Sequence, residues 1–87
     1  MADVHLPPTL PPLFPGLPRQ LDLEAATVDD AIERLDERWP GLRDRLCEPG
    51  PVLRPHINVF VDRERAALDT AIGAGSRVDV IAAISGG

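Results

Sequence analysis

One stretch of this chain repeats its apolar residues at helical spacing, and it limits the fold more than any other feature. Val28, Ile32, Leu35 and Trp39 follow one another at steps of 4, 3 and 4, which places them on one face of an amphipathic helix. The other face carries Asp29, Glu33, Arg34, Asp36, Glu37 and Arg38 and is read as solvated charge. Thr27 begins the helix. With Asp30 three residues on it resembles a capping box in which Asp replaces the usual Glu or Gln. Asp29 and Asp30 also suit the positive end of the helix dipole. Pro40-Gly41 stops it, and Leu42 and Leu46 predict a short further helical turn that prolongs the apolar stripe. One helix this narrow needs a broad apolar partner, and the rest of the chain reads as strands.

Residues 3–6 alternate, with Val4 and Leu6 against Asp3 and His5. RQLDLEA at residues 19–25 does the same, with Leu21, Leu23 and Ala25 to one side. Between them lies a proline-rich stretch. A polyproline ligand is one reading of it. The other is a connecting loop in which Leu10, Leu13, Phe14 and Leu17 pin the backbone to the core. After an EPGP turn at residues 48–51, RPHINVFVD at residues 54–62 predicts a strand with Ile57, Val59 and Val61 inward and His56, Asn58 and Phe60 outward. Residues 62–66 are a turn or a very short strand. Leu68 and Ile72 are expected to anchor a helical turn that Gly73 and Gly75 break. RVDVIAAI at residues 77–84 predicts a last strand with Val78 and Val80 inward and Arg77, Asp79 and Ile81 outward. The order strand, strand, helix, strand, short elements, strand fits a single helix across one face of a mixed sheet of four or five strands. This α+β arrangement is the β-grasp, or ubiquitin-like, fold. Residues 1–84 are expected to form that domain and residues 85–87 a flexible di-glycine tail.

The chain has 87 residues, 26% of them charged and 44% hydrophobic, which fits one ordered domain. Its net charge of −5 argues against nucleic acid as a partner and favours a basic protein surface. The nine basic residues are all Arg, so no lysine is present to form a Schiff base or an isopeptide bond. The single cysteine, Cys47, allows no internal disulfide and fits a reduced, cytoplasmic setting. Its sequence neighbours, Leu46 and Glu48, bring no positive charge to activate the thiol, so an inert, partly buried thiol is expected. Neither a signal peptide nor an apolar run of membrane-spanning length is apparent. GAGS at residues 73–76 is too short for a phosphate-binding loop and lacks the following Lys, so it reads as a turn. His5 and His56 have no spacing that implies a metal site. Trp39, in helical phase with the core, is read as core.

Four stretches carry a family resemblance. They are PTLPPLFPG at residues 8–16, ATVDDAIERLDERWPGLRDRL at 26–46, LRPHINVFVD at 53–62 and LDTAIGAGSRVDVIAAISGG at 68–87. Together they resemble the ubiquitin-like sulfur carriers typified by the small subunit of molybdopterin synthase and the thiamine-pathway carrier. The likeness is closest to the carriers that supply sulfur for cysteine. One departure is Ala82-Ala83, where such carriers often have proline or another bulky residue. The resemblance implies a carrier and co-substrate, not an enzyme. Gly87 would be adenylated and converted to a thiocarboxylate, and Ser85 and Gly86 would thread the partner's narrow channel. The chain itself would bind no cofactor or metal. ATP and Mg²⁺ would belong to an E1-like adenylating and sulfurtransferase enzyme. A downstream sulfur acceptor of the cysteine synthase, molybdopterin synthase large subunit, or thiazole or thiosugar synthase type would take the sulfur.

Other readings stay open at this point. Gly86-Gly87 is either this reactive tip or a frayed end. Phe60 and Ile81, both in outward phase, are either a docking patch on the helix-free sheet face or scattered surface residues. The chain as a whole could instead be a non-covalent β-grasp binding module or a ubiquitin-like protein modifier.

Overall fold

The helix starts where its cap places it. In the computed structural model, which describes residues 1–83, α1 spans Val28–Arg38 and Thr27 is its extended N-cap. Thr27 Oγ1 accepts from the Asp30 amide at 3.1 Å. Asp30 reaches back one residue further than a capping box would, accepting from Ala26 N at 3.0 Å. Two more first-turn amides find partners in a distant segment: Val28 N donates to Thr70 O and Asp29 N to Leu68 O. The four amides at the start of a helix have no partner within it, and here residues 68–70 supply two.

That duty explains one difference from the sequence reading. Leu68 and Ile72 do not flank a helical turn. Residues 67–70 form a tight turn, with Thr70 N donating to Ala67 O. Ala71 then pairs with Thr27 in an isolated bridge, and Ile72 N donates to Ala26 O. The segment's carbonyls serve α1, so they are not free to build a helix of their own.

Val28, Ala31, Ile32 and Leu35 are buried along α1. Trp39 breaks the expected pattern. It is the C-cap, with φ −131° and ψ 82°, and it is half-buried at the edge of the core. The Arg38 guanidinium lies 4.6 Å from its ring centroid, a cation–π contact at an exposed site. Gly41, at φ +97°, then turns the chain into α2 (Leu42–Leu46), a conformation that a side chain would strain. Asp36 Oδ1 accepts from both Gly41 N and Arg43 N and so ties the two helices together. Leu42 and Leu46 are fully buried and extend the stripe as expected.

Among the described residues, seven strands form two sheets. The main sheet contains β1 (Ala2–His5), β2 (Gln20–Leu23), β5 (Ile57–Val61), β6 (Glu64–Ala66) and β7 (Arg77–Ala82), in the order β2-β1-β7-β5-β6. β1 and β7 run parallel at its centre and the other pairs are antiparallel. A second, two-stranded sheet pairs β3 (Cys47–Glu48) with β4 (Val52–Leu53) across the EPGP turn. Strands of two residues are too short to show alternation, so only their turn was visible in the sequence. Residues 62–66 prove to be both turn and strand. Asp62 and Arg63 take φ +50° and +72°, the double positive φ of a type I′ hairpin, and β6 follows.

The inner sheet face carries Val4, Leu23, Ile57, Val59, Val61, Val78 and Val80, which join the helix residues in one buried cluster. The proline-rich loop includes a 3₁₀ turn at Pro11–Leu13. It is pinned by buried Leu10 and Leu17 and half-buried Phe14, but Leu13 points out, 49% exposed. A pinned loop, not a free polyproline strand, is what the chain forms. The mixed sheet with one main helix on one face is the β-grasp fold.

Candidate functional site

The helix-free face of the main sheet is built from the residues that alternate with the core. Pairing sets them in rows. One row runs Arg65, Phe60, Asp79, His5, Gln20 across β6, β5, β7, β1 and β2. In the next row Ile81 stands opposite Asn58. Phe60 and Ile81 therefore share this face as diagonal neighbours on adjacent strands, within reach of one another. Phe60 is half-buried and Ile81 is 47% exposed.

Charge surrounds the pair. Arg77 Nε and Nη2 donate to the Asp79 carboxylate. Arg65 Nη2 donates to Asn58 Oδ1 at 2.6 Å. Asp3 lies 2.9 Å from His5 Nε2 and accepts from Gln20 Nε2 at 3.0 Å. The hydrogen bond to His5, and then that from Gln20, hold the Asp3 carboxyl below its usual range. At the far edge Asp62 accepts from Arg77 N and from Ser76 Oγ, both at 2.9 Å. Those two bonds, the backbone one first, lower its pKa as well.

The last strand leads to one end of this sheet. Ala82 pairs with Ile57, and Ala83 N donates to His56 O at 2.7 Å, so the chain is held in register through its last described residue. Ser85, Gly86 and Gly87, together with the boundary placed after residue 84, lie outside the described residues. Because β1 runs parallel to β7 while β2 and β5 run against them, the start of β2, the end of β1 and the start of β5 all meet here. Arg19 and Ile81 line one groove at this end. Arg45, Arg54, His56 and the exposed Leu13 line another, of about 660 Å³. These basic residues are spread from 19 to 56 along the chain. No local pattern marks them as a group; strand pairing brings Arg19 and the start of β5 to this end, and α2 supplies Arg45.

Cys47 is buried at the start of β3. The sequence reading that no cation lies near it needs correction, because Arg43 and Arg54 both act on it electrostatically. Burial outweighs them and raises the thiol pKa, so the thiolate is disfavoured and the thiol inert. Arg43 is itself engaged by Asp29 and Glu33. Among the described residues no cluster of His, Cys, Asp or Glu could hold a metal, and no helix is long and apolar enough to cross a membrane.

A match to the ThiS family spans residues 13–87, from the proline-rich loop through the di-glycine. The chain belongs to the ThiS family of ubiquitin-like sulfur carriers. Among its relatives, small archaeal modifier protein 3 of Haloferax volcanii is 41% identical over 66 residues, covering 71% of each chain. In structure, this ThiS-family chain is similar to the crystal structure of the BexX/CysO complex of Amycolatopsis orientalis. The TM-score is 0.86 at 25% identity, with 100% of both chains covered. It is also similar to CysO of Mycobacterium tuberculosis, with a TM-score of 0.84 at 26% identity over 97% of this chain and 100% of that one. Such relatives are small carrier and modifier proteins rather than enzymes.

Proposed function

We propose that this chain carries sulfur as a thiocarboxylate on Gly87. The observation that carries the reading is the family match, which runs to Gly87 over a fold whose central strand leads out at one open end of the sheet. A carboxylate is a poor electrophile until one of its oxygens becomes part of a leaving group. An adenylating partner, using ATP and Mg²⁺, would join the Gly87 carboxylate to AMP and release pyrophosphate. A hydrosulfide-equivalent donor would then attack the acyl carbon. The C–S bond forms, the bond to the phosphate oxygen breaks, and AMP departs. The resulting thiocarboxylate sulfur is nucleophilic and would pass to a downstream enzyme. Gly86 and Gly87 suit entry into a narrow channel because neither carries a Cβ, and Ser85 is small. Cysteine, molybdopterin, thiamine and sulfur-containing natural products are the candidate destinations, with cysteine favoured by the likeness to CysO.

The test is intact mass after incubation with cell extract, ATP, Mg²⁺ and sulfide. A gain equal to replacing one oxygen by sulfur, lost on deletion of Gly87 or in Gly86→Trp and kept in Cys47→Ser, is the expected result. Transfer that survives capping of Gly87 but fails in Cys47→Ser would instead put the sulfur on the thiol. A second reading is protein modification through Gly87, favoured by the relatives named as modifier proteins. It predicts a ladder of adducts in the same experiment. Lacking lysine, the chain could not extend such adducts into lysine-linked polymers of itself.

A further inference from the structure

The acidic body of the protein and its tail end differ in charge. The chain carries −5 overall, and α1 keeps an acidic excess: Asp29, Asp30, Glu33, Asp36 and Glu37 against Arg34 and Arg38, with Arg43 paired to Asp29 and Glu33. Yet the end of the sheet where β7 leaves is framed by Arg19, Arg45, Arg54 and His56. Arg19 and Arg45 are exposed and have no carboxylate at ion-pair distance among the described residues. Arg54 donates through Nε to Asp44 O at 2.8 Å, with Glu48 at 3.7 Å. Three carboxylates share the region: Asp44 in the second groove, Glu48 beside Arg54, and Asp79, which Arg77 already engages.

We infer that the arginines ringing the exit of β7, with His56 beside them, dock on an acidic protein surface at the mouth of the partner's tail channel. The inference rests on the carrier function proposed above and names the chemistry by which the activating partner recognises the chain. Several facts point to protein carboxylates as the occupant. The four residues beyond Ala83 span at most about 14 Å when fully extended, so the partner's surface must close on the exit while Gly87 reaches the nucleotide. The nucleotide phosphates, at the far end of that reach, are too distant to be what these arginines meet. The ring adjoins the face of Phe60 and Ile81, since Arg19 shares a groove with Ile81, so a single partner can cover both. The charge split also orients the approach. An acidic channel mouth repels the α1 face and attracts the tail end, which turns the chain end-on before contact.

The test measures ATP–pyrophosphate exchange by the cognate adenylating enzyme against concentration of the full chain. Arg19→Glu, Arg45→Glu and the double variant are compared with Arg63→Glu, which makes the same charge change at the β5–β6 turn, the opposite end of β5. Thermal midpoints confirm that each is folded, and Arg19→Lys and Arg45→Lys serve as conservative controls. The expected result is a KM for the chain raised about tenfold in the double Glu variant at low salt. The maximal rate should be unchanged, and the gap should narrow as salt is added. Arg63→Glu and the Lys variants should stay near wild type. If the Glu variants match Arg63→Glu in KM and salt dependence, the ring is not a docking surface. A loss of maximal rate at unchanged KM would also overturn the inference, since the arginines would then be acting on the chain's own tail. Failure of the wild-type chain to drive any exchange would sink the carrier function itself, and the inference with it.

Discussion

Asp62 occupies a turn position that asks for positive φ, and its carboxylate closes that turn onto β7. It accepts from Arg77 N and Ser76 Oγ, and these bonds lower its pKa. A group whose folded pKa is depressed adds stability above its unfolded pKa and loses it as pH falls through the folded value. Asp62→Asn keeps the αL tolerance of the position, removes the charge, and leaves one accepting oxygen where the carboxylate used two. The variant should therefore be less stable than wild type at neutral pH, with the difference closing as pH falls through and below the carboxylate range. Urea midpoints at neutral and acidic pH measure this, and a difference that does not change with pH would refute it. Ile81 poses the docking question on a single side chain. Ile81→Asp should leave the thermal midpoint nearly unchanged, because the residue stands on the outer face. It should weaken binding to the activating enzyme or the sulfur acceptor. Unaltered affinity for both would remove Phe60 and Ile81 from the interface.

For α1 the decisive group is its first turn. The Thr27 side chain satisfies one orphan amide and the 68–70 segment two others. Thr27→Ala should cost ~1 kcal/mol, and Thr27→Ser, which keeps the hydroxyl, should recover most of it. Equal loss in both variants would mean that packing of the methyl group, not the cap, matters. The cap was legible in the sequence because Thr, Asp and Asp fall at fixed offsets before an apolar run. The partner segment was not legible, because Leu68 and Ile72 have helical spacing and nothing local says their carbonyls are committed elsewhere. Trp39 packs against the core but is only half-buried, for a related reason: its phase is right, but Pro40 ends the helix one residue too soon to keep it fully inside.

Over the whole molecule, folding and tail chemistry should separate. The buried cluster is drawn from both sheet and helices, and β7 is paired through Ala83. Deleting Gly86 and Gly87 should therefore leave the thermal midpoint and circular dichroism as in wild type. Leu35→Ala, by contrast, should cost roughly 2–5 kcal/mol through a core cavity. A tail deletion that melted the domain would show the tail to be part of the fold.

The helix, the four longer strands and their inward residues followed from sequence, because periods of 3.6 and 2 sort apolar from polar residues without reference to anything distant. So did the outward phase of Phe60 and Ile81. The strand order, the added β3–β4 sheet, the cations near Cys47 and the meeting of Arg19, Arg45, Arg54 and His56 at the exit of β7 did not. Each depends on which segments lie side by side. Pairing a parallel β1 with β7 joins residues more than seventy positions apart, and that choice is made by burial of the whole core, not by any local run of residues.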